Sequence, residues 1–289
     1  MKKTHKYGVV FSIILISSIV LFFLFKVTSL LPLDFPPPST DQNIMKTPEE
    51  KVVLPIPLIP DTAMFQYIEV VNGCDPYHVG ECVNMRSGPG TEYPVIERLR
   101  TGIVLKVADT VETNGKTWYK ISLDKNILYP ERVTGDLYIY ADVVELFTDE
   151  GNKYSSLETK SLINTKSIVV DLSENILYAY DGDILFMQAL VSVGLKSTPT
   201  PRGTFSVFKK TPSRYMQGPV PGVNSDQVYD LPGVPWDLYF TEDGAVIHGT
   251  YWHDHFGQPW SHGCVNLSPQ EAKKLYKWTD VDTKVIVRD

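Results

Sequence analysis

Residues 247–267 read IHGTYWHDHFGQPWSHGCVNL, a stretch that holds four of the chain's six histidines and one of its three cysteines. It opens at the end of a strand-like run, AVIHG, where alternation turns His248 away from the face that carries Ile247. It closes on Cys264, wedged between Gly263 and Val265. A cysteine nucleophile needs a base for its proton and donors for the oxyanion that develops on its substrate. A free thiol has a pKa of about 8.5, so a nearby histidine or a helix N-terminus is the usual route to the thiolate. His248 and His262 are both placed to be that base. Gly263 lets the backbone turn tightly and leaves amides accessible beside the sulfur. The parts fit acyl transfer through a thioester on Cys264. His253 and His255 flank Asp254 in an aromatic loop and read as packing or solvated residues, while Tyr251 and Trp252 either pack beneath the loop or stack on a substrate.

Outward from this segment the reading is mainly β. The runs SIVVDLS, ILYAY, ILFMQALVSVG, GTFSVFKK, DLYFT and AVIHGT, with turn signals at Asn175 and Asp181-Gly182, predict a mostly antiparallel sandwich. Its one clear helix is SPQEAKKLYKW, with Ser268 and Glu271 as a capping box and Pro269 in the first helical position. Upstream, FQYIEVV, GIVLKVADTVE, TWYKISL and LYIYADVVEL predict a second, smaller all-β unit, with a hairpin turn at Asn114-Gly115.

Two resemblances follow. The stretch VNMRSGPGTEYPVIERLRTGIVLKVADTVETNGKTWYKI resembles a bacterial SH3-type domain, which implies a small barrel over residues 63–148 that serves as a spacer or contacts the cell wall. The C-terminal stretch resembles the L,D-transpeptidase catalytic domain of YkuD type. A histidine is followed downstream by S-H-G-C-V-N, and IVVDLSENILYAYDGD, GLKSTPTPRGTFSV and PWDLYFTEDGAVIHG match further family segments, covering nearly all of residues 165–289 within a catalytic domain expected at 163–289. The resemblance implies Cys264 as nucleophile and His248 as general base, with His262 as its competitor. Gly249, where some members have serine, would orient the imidazole through its carbonyl. Ser261, His262 and Gly263 would line the cysteine, their amides forming the oxyanion hole. Asn266 would stand near the donor peptide. The implied reaction takes the acyl group of a peptidoglycan tetrapeptide stem onto the cysteine, releases D-Ala, and passes the acyl group to an amine of a neighbouring stem as a 3→3 cross-link. No cofactor is needed, and no metal is expected because the signature already assigns Cys264 and His248. The alternatives are water as acceptor, giving an L,D-carboxypeptidase, and an inert wall-binding protein. An NlpC/P60-type endopeptidase places its cysteine before its histidine, opposite to the order here.

The remaining chain sets the compartment. Lys2, Lys3 and Lys6 precede nineteen uncharged, mainly apolar residues, Tyr7 to Phe25, closed by Lys26. As a helix they would span about 28 Å, close to a bilayer's hydrocarbon core. Basic residues before the span favour an external C-terminus, so residues 1–30 are expected to be an uncleaved single-pass signal anchor with the catalytic part outside the cytoplasm. Residues 31–62 carry eight prolines and read as an extended stalk. In that compartment Cys74 and Cys82, bracketing CDPYHVGEC, could close as a disulfide, leaving Cys264 as the odd thiol. A composition of 43% hydrophobic and 21% charged residues is that of a globular protein, and a net charge of -7 without a basic stripe argues against nucleic acid.

Overall fold

The computed structural model describes residues 63–123, 127–155, 164–219 and 227–289. The expected anchor and stalk lie outside the described residues. Among those described, no helix is long and apolar enough to cross a membrane.

The first unit is a seven-stranded antiparallel sheet. Its spatial order is Val95–Leu99, Val83–Arg86, Tyr138–Tyr140, Lys116–Ser122, Val104–Thr113, Phe65–Glu69 and Glu145–Asp149. Asn114 and Gly115 both take positive φ, +50° and +68°, as a two-residue hairpin turn with right-twisted strands requires. The expected closed barrel does not form: the sheet is open, with Val95–Leu99 and Glu145–Asp149 as its edges. A small barrel closes to cover its own apolar interior, and here the following domain supplies part of that cover. Val234 and Tyr251 pack into the cluster of Ile68, Leu99, Ile103 and Ile139. In the other direction Tyr67 and Val104 join the core around Trp236, Leu238 and Ile247.

The second unit consists of two five-stranded sheets whose apolar faces share that core. One runs Ile184–Leu190, Ile176–Asp181, Lys166–Asp171, Lys284–Arg288 and Gly203–Ser206. The other runs Val265–Leu267, Val246–Gly249, Tyr229–Tyr239, Lys209–Gly218 and Lys153–Tyr154. The last of these pairs with Lys209 and Lys210, so the sheet recruits residues ahead of the expected boundary at 163. The mainly β expectation holds, with one α-helix, Pro269–Trp278, and two 3₁₀ turns among the described residues. The helix starts as its sequence dictates. The Ser268 hydroxyl accepts from the Glu271 amide at 3.3 Å and donates to the Glu271 carboxylate at 2.8 Å. At its other end the Lys210 ammonium donates to the carbonyls of Tyr276 and Thr279, at 2.7 and 2.6 Å, placing a cation where the helix dipole is negative. Ala272, Leu275 and Tyr276 face the core and pin the helix against the strands that carry the histidine and the cysteine.

Candidate active site

Val246–Gly249 and Val265–Leu267 pair in parallel, with His248 opposite Asn266. The pairing directs Asn266 and His248 to one side, and Cys264 lies in the turn just before the strand. All three line a cavity of about 710 Å³, together with Arg214, Trp252 and Gly263. Cys264 is the free cysteine, partly exposed to this cavity, while Cys74 and Cys82 are joined as a disulfide.

His248 is buried, and its Nδ1 lies 3.0 Å from the carbonyl oxygen of Gly249. A carbonyl can only accept, so Nδ1 carries the proton and Nε2 keeps its lone pair. Burial and, after it, the Arg214 charge hold the imidazole down to a pKa of about 3, which leaves it a neutral base at ordinary pH. The glycine at 249 has a steric reason. A Cβ there would stand 2.8 Å from the ring of Pro235 and 3.2 Å from Ala272, so serine would displace the neighbouring strand. The carbonyl that orients His248 needs no side chain.

The turn before Cys264 is tied by Ser261, whose hydroxyl donates to the Cys264 carbonyl at 2.5 Å and accepts from the Gly263 amide at 3.1 Å. Gly263 takes φ +121°, a conformation that favours glycine. Ser261 and Gly263 line the cavity beside Cys264, with the Ser261 hydroxyl engaged in the turn and the Gly263 amide donating to it. His262 is exposed at the cavity rim, in contrast to His248.

Of the two alternatives for Tyr251, packing or substrate stacking, the structure shows packing: it is buried and does not line the cavity. Its hydroxyl donates to the Pro232 carbonyl at 2.7 Å and its ring lies under the Arg100 guanidinium at 5.1 Å. Trp252 does line the cavity, with its ring centroid 5.8 Å from that of His248. Nor is His253 a solvated loop residue: it is buried, its Nδ1 accepts from the His255 amide at 3.2 Å, and its Nε2 lies 3.0 Å from the Asn266 side-chain amide. With Nδ1 accepting, Nε2 bears the hydrogen, and the amide oxygen is the end of Asn266 that matches it. Asn266 is thus engaged with the loop as well as facing the cavity. Burial, then His255, lowers the His253 pKa to about 4, so this pair too is uncharged.

The sequence reading missed Arg214 and Asp237. Arg214 Nε lies 2.9 Å from the fully buried carboxylate of Asp237. A bulge in Lys209–Gly218, between Arg214 and Met216, re-aims this part of the strand at the cavity. Asp237 sits inside a run, VPWDLYF, in which an acidic residue between apolar neighbours was the available signal.

The fold and site define a β-sandwich opening a cavity onto one free thiol and one buried, carbonyl-oriented imidazole. Residues 165–287 match the family model of the L,D-transpeptidase catalytic domain, and residues 82–129 that of the bacterial SH3 domain. Residues 165–287 thus resemble an L,D-transpeptidase catalytic domain, preceded by a bacterial SH3 domain over residues 82–129, and the chain spans well under two thirds of the length of the curated relative it matches. Over 102 residues the chain is 31% identical to probable L,D-transpeptidase 3 of Mycobacterium tuberculosis (strain ATCC 25618 / H37Rv), a match covering 34% of this chain and 37% of that protein. Among solved structures, the L,D-transpeptidase of Enterococcus faecium is 26% identical, covers 44% of this chain and 51% of its own, and has a TM-score of 0.39. The L,D-transpeptidase of Mycobacterium smegmatis is 20% identical, covers 64% and 99%, and has a TM-score of 0.41.

Proposed function

We propose that the protein is a peptidoglycan L,D-transpeptidase working through a thioacyl-enzyme on Cys264. The observation that carries this reading is one cavity lined by both a free thiol and a buried imidazole whose Nδ1 is fixed by the Gly249 carbonyl. His248 Nε2 takes the thiol proton, the sulfur attacks the carbonyl before the terminal D-Ala of a tetrapeptide stem, and the C–N bond breaks to release D-Ala. An amine of a neighbouring stem then attacks the thioester, forming the 3→3 amide bond and restoring the thiol. With the Gly263 amide occupied, the oxyanion falls to other donors of the turn, the amides of Cys264 and His262 being nearest in the chain. Water as acceptor would make the product a tripeptide. The anchor of residues 7–25 would hold this chemistry outside the membrane, at the wall, where the SH3 domain can contact the same polymer.

The test uses a carbapenem, whose strained lactam acylates an activated thiol without losing a leaving group. Intact-mass spectrometry of residues 63–289 should show one adduct of the drug's full mass, absent in Cys264→Ala. Folded, reduced protein that takes no adduct would overturn the reading. Incubation with tetrapeptide and an amine acceptor then separates transfer from hydrolysis. For the anchor, alkaline extraction should leave the full chain in the membrane pellet and release residues 63–289; full release of both would remove it.

A further inference from the structure

The disulfide-closed loop of the SH3 domain reaches the active-site loop. Cys74 and Cys82 close this loop, and the Asp75 carboxylate ties its interior by accepting from the amides of Tyr77 and Val79, at 2.9 and 2.7 Å. Its base is stitched to the neighbouring turn, where the Thr101 amide donates to the Cys74 carbonyl at 2.9 Å. From this rigid loop the Tyr77 hydroxyl projects across the domain boundary and donates to the Asp254 carboxylate at 2.5 Å. A second strut runs beside it: Arg100 donates to the Pro76 carbonyl at 3.3 Å and lays its guanidinium over Tyr251. Both struts land on residues 251–254, whose other side chains are Trp252, next to His248, and His253, joined to Asn266.

We infer that Tyr77 is a positioning residue, and that the disulfide loop of the SH3 domain holds the Trp252–His253 segment in the wall of the cavity around Cys264. Four observations converge on it. The contact bridges residues far apart in sequence, the donor loop is covalently closed, the acceptor adjoins the buried His253–Asn266 pair, and a parallel strut fixes the preceding tyrosine. Tyr77 itself is half exposed and serves no core, so removing its hydroxyl leaves both domains' packing intact. The inference deepens the proposed function and its rate arm rests on that reading of Cys264; its exchange arm does not.

The experiment compares wild type, Tyr77→Phe, Asp254→Ala and the double variant of residues 63–289, all within the compact unit Ile59–Asp289. Tyr77→Phe should slow carbapenem acylation about three- to tenfold, the worth of one hydrogen bond in an exposed setting. The loss should appear as weaker capture of the acyl donor, with the maximal acylation rate retained, since His248 and Cys264 are untouched. The double variant should be no slower than the worse single one. Amide hydrogen exchange across residues 251–257 should quicken in Tyr77→Phe, and the melting temperature should move by less than about 2 °C. Reducing the disulfide with dithiothreitol, which leaves Cys264 a thiol, should reproduce the effect in wild type and add little in Tyr77→Phe. Unchanged exchange overturns the inference whatever Cys264 does, and quickened exchange with unchanged acylation overturns the positioning role. Quickened exchange in a protein that is never acylated keeps the brace and sinks the functional reading alone.

Discussion

Replacing His248 with alanine should slow acylation of Cys264 about a thousandfold, within the range for loss of a positioned general base. The same change at His262, exposed on the cavity rim, should leave the rate near that of wild type. Equal rates for both variants and wild type would remove the histidine-base mechanism. The acid limb of the pH profile is diagnostic as well. Because burial, and then Arg214, lower the His248 pKa to about 3, the ring stays an unprotonated acceptor through pH 5, and the rate should fall only as the pH approaches that value. A limb centred on about 6.5 would mean that the ring titrates as a free histidine. Stability carries the same signature. The unfolded chain's histidine takes a proton at about pH 6.5, whereas the folded one resists it to about 3, so between these values the unfolded state binds more protons. This contribution is present above 6.5 and is lost as the pH falls through the window, and the slope of melting temperature against pH should flatten in His248→Ala.

Removing the Asp237 carboxylate should be the most destabilising single change near the site. Asp237 is fully buried, Arg214 is partly buried in the cavity wall, and the pair lies 2.9 Å apart. Asp237→Ala would leave the partly buried guanidinium without its carboxylate, with Met216 and Tyr239 beside it, at a cost of about 3 kcal/mol. For a domain of this size that is a fall of roughly 10 °C in melting temperature. Replacing both partners with apolar residues of similar volume, Arg214→Met with Asp237→Leu, should recover most of the stability. It would also remove the charge that helps to keep His248 neutral, so the double variant's acid limb should shift upward. A melting temperature unmoved in Asp237→Ala would mean that water reaches the pair.

The parts legible in the sequence are those whose cause is local. Asn114-Gly115 dictates a left-handed two-residue turn, Ser268-Pro269 with Glu271 dictates a helix start, and SHGCVN after AVIHG marks a thiol and an imidazole for one site. What escaped reading depends on partners distant in the chain. The strand Tyr229–Tyr239 includes Pro232, Gly233 and Pro235, which argue against a strand by propensity, and only DLYFT at its end was readable. It forms nonetheless because Lys209–Gly218 and Val246–Gly249 flank it on both sides. Arg214 looks like any surface arginine until the bulge aims it inward at Asp237. Tyr251 belongs to an aromatic run that suggested substrate stacking, yet Arg100 and Pro232, from elsewhere in the chain, draw it into a core. The open sheet has the same origin, since strand patterning does not reveal that a neighbouring domain will cover it.

That shared cover bears on how such a chain can change over evolutionary time. Modules strung on a tether can be exchanged, duplicated or lost without consequence for their neighbours. Here Tyr67 and Val104 complete one core while Val234 and Tyr251 complete the other, and Lys273 of the catalytic helix reaches Glu69 of the SH3 sheet at 2.5 Å. Recombination at this junction would expose apolar surface on both fragments at once. Exchanging either unit alone should therefore cost stability in both, and a substitution on one side of the seam should call for a compensating one on the other.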